Sequence, residues 1–136
     1  MSEEYEVRGI LSYTKEDTWA RVMADGSVKV GITDYAQKML KEIVFVDLPE
    51  AGSEVVQMQP FASAESTKAV SDVYSPVSGT IKAVNDDVIG DPGIINRDPY
   101  DAGWLVAIVP SNLAKEMNNL LDAGAYKELI KEKAEK

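Results

Sequence analysis

The chain of 136 residues contains no cysteine and no histidine. Disulfide bonds are therefore excluded, and so are Cys/His metal sites and nucleophilic triads built on either residue. Basic residues are also few, 14 Lys and Arg against 23 Asp and Glu, which leaves a formal net charge of -9. Nucleic acids and anionic membrane surfaces both require a basic patch on the protein. We therefore predict neither a nucleic-acid partner nor a membrane partner.

The sequence also lacks an apolar run long enough to cross a bilayer. Its first residues, Met1 to Glu6, are acidic and have neither the apolar segment of a signal peptide nor an Arg-rich presequence. We therefore expect a cytoplasmic protein. The remaining composition, 45% hydrophobic and 27% charged, is ordinary for a globular protein. The length suits one domain that spans residues 1–136.

Short strand-like runs separated by turns fill most of the chain. Asp25-Gly26 lies between the apolar-rich runs 19–23 and 28–30, and this arrangement is a strong hairpin signal. Many short strands divided by Gly and Pro turns indicate a sandwich or a barrel. The sequence therefore predicts a mostly β domain, a β-sandwich or flattened barrel with its core at about 5–110.

Three segments depart from the strand pattern. A short internal helix begins near Asp34, which we expect to cap it with Gln37 at capping-box spacing. The segment 85–100 is rich in Asp, Gly, Pro and Asn, and it predicts a long surface loop. After the last strand, apolar residues at helical spacing predict C-terminal α-helices over about 111–133, with Ser111 as the first N-cap.

The middle of the chain is approximately symmetric about Lys68. On each side lies a strand, then a turn marked by Pro and Gly, then a run of Val and Ile. This pattern places Lys68 near the tip of a hairpin. A lysine at such a position is most often simply solvated. The small neighbours Ser66 and Ala69 would nevertheless leave its amine accessible to a modifying enzyme.

Several segments resemble one family in a fixed order. Residues 64–72, AESTKAVSD, are similar to the E-S-x-K-A-x-S-D segment of glycine cleavage H proteins. Further matches to that family are Tyr13-Thr14, Trp19, 30–34, Ala36-Gln37, 44–49, Gly52, 75–79, Val84-Asn85, Ile95-Asn96, Pro99-Tyr100 and Gly103-Trp104. A single Lys-Ala dipeptide would be weak support, but these motifs span nearly the whole chain. The sequence therefore resembles the H proteins of the glycine cleavage system.

The resemblance implies a carrier with lipoate attached to Lys68 as N6-lipoyl-lysine, and not an enzyme. Such a carrier takes the aminomethyl group of glycine from a pyridoxal-phosphate glycine decarboxylase to a tetrahydrofolate-dependent aminomethyltransferase. Dihydrolipoamide dehydrogenase reoxidises it, and a lipoate ligase or lipoyltransferase attaches the group. The five-membered lipoyl ring cannot reach the relaxed disulfide dihedral, so its disulfide is readily reduced.

The resemblance also implies a surface cleft whose polar groups contact the amine of the loaded arm. Asp72 matches one such position, although an ordinary turn residue is the competing interpretation. Relatives have His-Glu before the first Trp where this sequence has Asp17-Thr18, so Glu16 or Asp17 is the candidate replacement for the family carboxylate. Tyr35 stands where a His is common. Glu65 is expected to help the lipoylating enzyme recognise the hairpin, or to be a solvated strand-edge residue.

Four other hypotheses remain open. A biotin carrier has the same two-fold hairpin but usually flanks its lysine with methionines, whereas Thr67 and Ala69 flank Lys68. A lipoyl carrier in lipoate relay or sulfur transfer is compatible with the missing His-Glu pair. A hydrolase with two catalytic acids would need an acid pair more specific than the acidic background. A plain interaction domain would keep its function after Lys68→Arg.

Overall fold

The computed structural model describes residues 4–134. The acidic start of the chain, Met1 to Glu3, and the last two residues of its charged end, 135 and 136, lie outside this range. The strands within it are β1 (Ser12–Tyr13), β2 (Thr18–Val22), β3 (Val28–Ile32), β4 (Ile43–Asp47), β5 (Glu54–Val55), β6 (Pro60–Ser66), β7 (Val70–Tyr74), β8 (Gly79–Val84) and β9 (Val106–Pro110). The α-helices are α1 (Asp34–Leu40), α2 (Asp86–Gly90), α3 (Gly93–Arg97), α4 (Leu113–Glu116) and α5 (Ala123–Ala134), and a 3-10 helix (Met117–Asn119) follows α4.

The strands form two antiparallel sheets that enclose the main core. The larger sheet has the order β1-β2-β3-β9-β8-β5 and the smaller has the order β4-β6-β7. Alternate residues of each strand face the other sheet. Val30, Ile81 and Ile108 come from the larger sheet, and Val46 and Val73 from the smaller. These five side chains are at most 4% exposed. The prediction of a mostly β sandwich is therefore confirmed.

A second cluster of apolar residues, largely aromatic, joins both ends of the described chain. The rings of Tyr13 in β1 and Tyr126 in α5 stack with their centroids 4.4 Å apart. Trp19 in β2 is fully buried in the same cluster. Tyr13 also forms an antiparallel bridge with Leu121, just before α5. These contacts dock α5 against the β1–β2 hairpin, because burial of large aromatic surfaces is strongly favourable.

The smaller sheet contains the hairpin that the symmetric pattern predicts. Glu65 pairs with Val70, and the ladder continues through residues 63 and 72 to 60 and 74. Beyond it β5 pairs with β8, with Glu54 opposite Thr80. Strands on the two sides of Lys68 therefore pair in a nested order, and Lys68 lies in the connection between β6 and β7. The hairpin is confirmed, with Lys68 at its tip.

The internal helix is confirmed, but its cap is Thr33 and not Asp34. Thr33 has extended backbone angles, and its hydroxyl accepts a hydrogen bond from the Ala36 amide at 3.2 Å. This is the geometry of an N-cap. Asp34 is the first helical residue, and its carboxylate accepts from Gln37 Nε2 at 2.8 Å and from the Glu6 amide at 2.9 Å. Burial raises the pKa of Asp34. The two hydrogen bonds and the ammonium group of Lys38, one turn further along α1, outweigh the effect of burial, so the pKa lies below its ordinary value.

The prediction of a long surface loop over 85–100 is wrong. The segment contains two short helices, α2 and α3, of five residues each. Asn85 caps the first, accepting from the Asp87 amide at 3.1 Å. Its side-chain amide donates to the carbonyls of Ala102 and Trp104 at 2.9 and 2.7 Å. A helix of about one turn has no room for a periodic apolar pattern, so turn-forming residues dominate its sequence.

The C-terminal helices are confirmed, but the first one is short and Ser111 does not cap it. The N-cap position of α4 belongs to Asn112, whose side chain makes no capping bond. At the start of α5, Asp122 accepts from the Ala125 amide at 2.8 Å. Among the helices of residues 4–134, none combines the length and apolarity that crossing a membrane requires.

Candidate functional site

The connection between β6 and β7 is held in shape by Ser66. Its hydroxyl accepts hydrogen bonds from the backbone amides of Lys68 and Ala69 at 3.1 and 3.0 Å and donates to the Ala69 carbonyl at 3.2 Å. The Ser66 side chain is buried, whereas Lys68 and Ala69 are exposed. The serine was predicted as a small neighbour that leaves the lysine accessible, and its hydroxyl in fact organises the turn, as Ser and Thr hydroxyls commonly do.

The tip also contacts the segment that links α1 and β4. The Thr67 amide donates to the Glu42 carbonyl at 3.2 Å. The Lys68 ammonium lies 3.5 Å from the Met39 carbonyl, in the last turn of α1. A helix C-terminus carries partial negative charge and attracts a cation. The free lysine therefore lies against the end of α1, while its head group stays open to solvent.

A groove of about 190 Å³ lies beside Lys68. Its apolar lining is Ile32, Ala36, Met39, Leu40, Ala64, Ala69 and Val73, and its polar lining is Glu16, Asp17, Lys68, Ser71 and Asp72. These residues come from the turn between β1 and β2, the end of β3, one side of α1, and both strands of the hairpin. An acylated lysine has no charge. A hydrocarbon arm on Lys68 can therefore lie in this groove at low desolvation cost.

One carboxylate in the groove wall is held by partners distant in sequence. Asp17 accepts from the Tyr126 hydroxyl at 2.9 Å and from the Lys133 ammonium at 3.1 and 3.2 Å. Burial raises the pKa of Asp17 above its ordinary value, and Lys133 and Tyr126 offset part of that rise. The backbone of Asp17 has a positive φ of 68°, an uncommon conformation for a residue with a side chain. Asp17 is thus a fixed, partly buried carboxylate.

Glu16 and Tyr35 occupy different settings around Asp17. Glu16 is exposed, and among residues 4–134 its carboxylate has no hydrogen bond or ion pair shorter than 4 Å. Tyr35 is only 8% exposed and lies edge-on to Tyr5, with ring centroids 4.9 Å apart. Burial raises the pKa of Tyr35, and the nearby Asp17 raises it further. Of the two candidate acids, Asp17 is therefore the one with a defined position.

The remaining candidate residues, Asp72 and Glu65, differ in whether they line the groove. Asp72 is exposed on β7 and lines the groove, so it belongs to a strand and the turn interpretation is wrong. Glu65 is exposed on β6, the central strand of the smaller sheet, between Phe45 and Val70. The interpretation of Glu65 as a strand-edge residue is therefore also wrong. The groove unites Lys68, Ala69 and Asp72, whereas Glu65 faces away from it and Ser66 lies beneath the tip.

Sequence reasoning missed that α5 holds Asp17, which lines the groove. Lys133 and Asp17 are 116 residues apart. Helical periodicity correctly predicts that Tyr126 lies on the apolar side of α5, but no local pattern indicates that its hydroxyl bonds to Asp17. The hydroxyl also bonds to that of Thr33 at 2.7 Å. The available signal was a tyrosine at a position predicted to be buried, because a buried tyrosine hydroxyl usually has a hydrogen-bond partner.

A two-sheet β domain that presents an exposed lysine at the tip of a nested hairpin, beside an apolar groove, has the fold class of the biotinyl and lipoyl carriers. Comparison with known families is more specific. Residues 11–133 match the family model described as the glycine cleavage H-protein. The chain belongs to the glycine cleavage H-protein family.

Individual relatives agree with the family model. A probable glycine cleavage system H protein of Pyrococcus abyssi is 51% identical over 128 residues, which cover 94% of this chain and 95% of the relative. A glycine cleavage system H protein of Geobacillus kaustophilus is 48% identical over 122 residues, covering 90% of this chain and 94% of the relative. The crystal structure of a glycine cleavage system H protein from Mycobacterium marinum is similar with a TM-score of 0.83 and 39% identity, covering 90% of this chain and 97% of that chain.

Proposed function

We propose that this protein is the lipoyl-bearing carrier of a glycine cleavage system, that residues 1–136 act as one carrier domain, and that lipoate is attached to Lys68. The carrier shuttles the aminomethyl group of glycine from a pyridoxal-phosphate glycine decarboxylase to a tetrahydrofolate-dependent aminomethyltransferase. Dihydrolipoamide dehydrogenase reoxidises it. The observation that carries the proposal is the exposed amine of Lys68 at the tip of a rigid hairpin, beside the groove.

The residues around Lys68 fit a lipoyl group. The amine is exposed, so an attaching enzyme can reach it, and the turn is fixed by the Ser66 hydroxyl. The groove beside it is lined largely by aliphatic side chains, which suit the hydrocarbon part of the arm. When bound, the lipoyl group supplies a strained disulfide that is readily reduced. The difficult chemistry belongs to the cofactors of the partner enzymes.

The chain itself positions the arm, keeps water away from it and supplies charged groups beside it. Attachment to a rigid tip keeps the arm at high effective concentration near whichever enzyme has docked. The aliphatic lining excludes water from a group resting in the groove. Asp17 and Asp72 line the same groove and offer carboxylates to a cationic amine. Glu65, on the outer face of β6, is available to the lipoate ligase or lipoyltransferase that must recognise the hairpin before an arm exists.

A lipoyl carrier in lipoate relay or sulfur transfer is the second candidate. Two contacts favour it over a dedicated aminomethyl carrier. Thr18 stands where relatives have the carboxylate before the first Trp, and its hydroxyl is buried against that of Thr14 at 2.6 Å. The neighbouring Asp17 is already paired with Lys133. Both candidates require lipoate on Lys68, and they differ in the enzyme that reduces it.

The test begins with attachment. The protein is incubated with lipoate, ATP and a lipoate ligase, and its intact mass and peptide map are measured. We expect one lipoyl group on Lys68 in the wild type and in the control Lys127→Arg, an exposed lysine of α5, and none in Lys68→Arg. Modification elsewhere, or none, would overturn the carrier proposal.

The second step separates the two carrier functions. The lipoylated protein is mixed with glycine and a glycine decarboxylase, and the gain in mass and the release of carbon dioxide are followed. Glycine-dependent loading supports the glycine cleavage function. Full lipoylation without any loading would exclude it and leave the relay or sulfur-transfer function.

A further inference from the structure

A lysine from the last turn of α5 fills a small site behind the groove. The Lys133 ammonium bonds to both carboxylate oxygens of Asp17 at 3.1 and 3.2 Å and donates to the Lys15 carbonyl at 2.9 Å. It also lies 5.7 Å from the centroid of the Tyr35 ring. A carboxylate, a carbonyl and an aromatic face are together the groups that recognise a primary ammonium group. The fold therefore contains an ammonium site, and its occupant belongs to the chain itself.

This ammonium site adjoins the groove through Asp17. Asp17 lines the groove together with Lys68, whereas Lys133 does not line it. The Asp17 side chain is 19% exposed and the Lys133 side chain is 32% exposed. Both side chains of this ion pair therefore keep some contact with solvent. A second cation that reaches Asp17 from the groove can therefore compete with Lys133.

The backbone and the setting of Asp17 are both uncommon. Its φ of 68° is rare for a residue other than glycine, although Asp and Asn adopt it more readily than most. Burial opposes its ionised form, as the raised pKa of Asp17 indicates. Costs of this kind are concentrated at functional sites. The amide of Thr33, which lies nearby, donates to the Asp17 carbonyl at 3.0 Å and helps to hold this backbone in place.

The resemblance to H proteins already implies that polar groups of this cleft contact the amine of the load. We propose that in this chain Lys133 fills the ammonium site formed by Asp17, the Lys15 carbonyl and Tyr35 while the arm is empty, and that the amine of a load on Lys68 displaces Lys133 from it. This inference rests on the proposed aminomethyl-carrier function. One cation replaces another, so the charge of the site is unchanged by the exchange. The load is tethered, which gives it a high effective concentration. Displacement of Lys133 breaks its contacts with Asp17 and the Lys15 carbonyl, so the last turn of α5 becomes more mobile. The mobility of this turn then depends on whether the carrier is loaded.

The displacement is tested on the lipoylated protein before and after loading with glycine and glycine decarboxylase. The Lys133 side-chain resonances are followed by NMR, amide hydrogen exchange is measured along α5, and the extent of loading is counted by intact mass. We expect loading to shift the Lys133 resonances toward those of the unloaded Asp17→Asn variant. We also expect exchange in the last turn of α5 to rise at least threefold. Asn tolerates the left-handed backbone of residue 17, so this reference keeps the local fold.

A second measurement distinguishes competition from a merely structural contact. Lys133→Met removes the competing ammonium group but keeps an unbranched side chain of similar length. The lifetime of the load in water should therefore be about threefold longer in this variant than in the wild type. Lys131→Met, an exposed lysine on the same helix, should leave the lifetime unchanged. Loading without movement of the Lys133 resonances, or a load lifetime in Lys133→Met equal to or shorter than that of the wild type, would overturn the inference. Failure to load at all, visible in the intact mass, would withdraw both the proposed function and this inference.

Discussion

Removal of the Ser66 hydroxyl should loosen the tip that presents Lys68. In Ser66→Ala the amides of Lys68 and Ala69 lose their acceptor, and the Ala69 carbonyl loses one donor. The backbone bond from the Ser66 amide to the Ala69 carbonyl, 2.8 Å long, remains. The hairpin should therefore persist, but its connection should no longer have one fixed conformation.

The size of the effect follows from the exposure of the donors. A neutral hydrogen bond contributes about 0.5–1.5 kcal/mol net, and a donor left unpaired costs more only if water cannot reach it. Lys68 and Ala69 are exposed, so water replaces the lost acceptor. We expect the local free energy of opening to fall by about 1–2 kcal/mol, which corresponds to a factor of roughly 5–30 in the population of open tips.

Hydrogen exchange at the tip, combined with lipoate-ligase kinetics, measures this loss. The amide of Ala69 should exchange faster by the stated factor, and the KM for the protein substrate should rise because fewer molecules present the ordered turn. Ser71→Ala is the matched control, since its exposed hydroxyl makes only a long bond of 3.4 Å to the Asp72 carbonyl. Equal exchange and equal KM in the two variants would refute the assigned role of Ser66.

Three further changes test other parts of the fold. Gly31→Ala would place a Cβ 2.7 Å from the Trp19 ring and should lower the free energy of unfolding by about 1–3 kcal/mol in urea titrations, whereas Gly90→Ala, with open space around it, should not. Asp34→Asn removes a carboxylate whose pKa is lowered on folding from 3.8. The stability that this carboxylate contributes is lost as the pH falls through its folded pKa, so the variant should lose less stability than the wild type as the pH falls below 3.8. Glu116→Gln weakens the two hydrogen bonds, 2.7 and 2.6 Å long, that the Ser78 amide and hydroxyl donate to the Glu116 carboxylate just before β8. It should lower the free energy of unfolding by about 1–2 kcal/mol in the same urea titrations.

Much of the architecture follows from local patterns in the sequence. Asp25-Gly26 between two apolar-rich runs predicts the β2–β3 hairpin, because the turn chemistry and the strand pattern agree there. The nested strands about Lys68 are predictable for the same reason, since each turn and each Val-rich run is a short-range signal. The apolar spacing that includes Tyr126 and Ile130 likewise predicts the buried side of α5.

What the sequence could not supply depends on contacts between distant residues. The short helices α2 and α3 are stabilised by the side chain of Asn85 and by that of Asn96, which donates to the Lys41 carbonyl at 2.7 Å. Thr33 prevails over Asp34 as the cap because the backbone before α1 is extended at residue 33. The partnership of Asp17 with α5 is set entirely by packing, and no local pattern encodes it.

The contacts between the start of the chain and α5 have a consequence for the order in which parts of the fold form during synthesis on the ribosome. Every group that shapes the turn around Lys68 lies between α1 and β7, so this hairpin can form while the remaining residues are still being synthesised. The wall that contains Asp17 must wait for Tyr126 and Lys133, which follow every strand in the chain. Local hairpins form quickly, whereas contacts between distant residues form late. A nascent chain can therefore form the lysine tip beside an incomplete groove. If lipoate is attached to Lys68 as proposed, an enzyme that acts early would meet the lysine before α5 has docked.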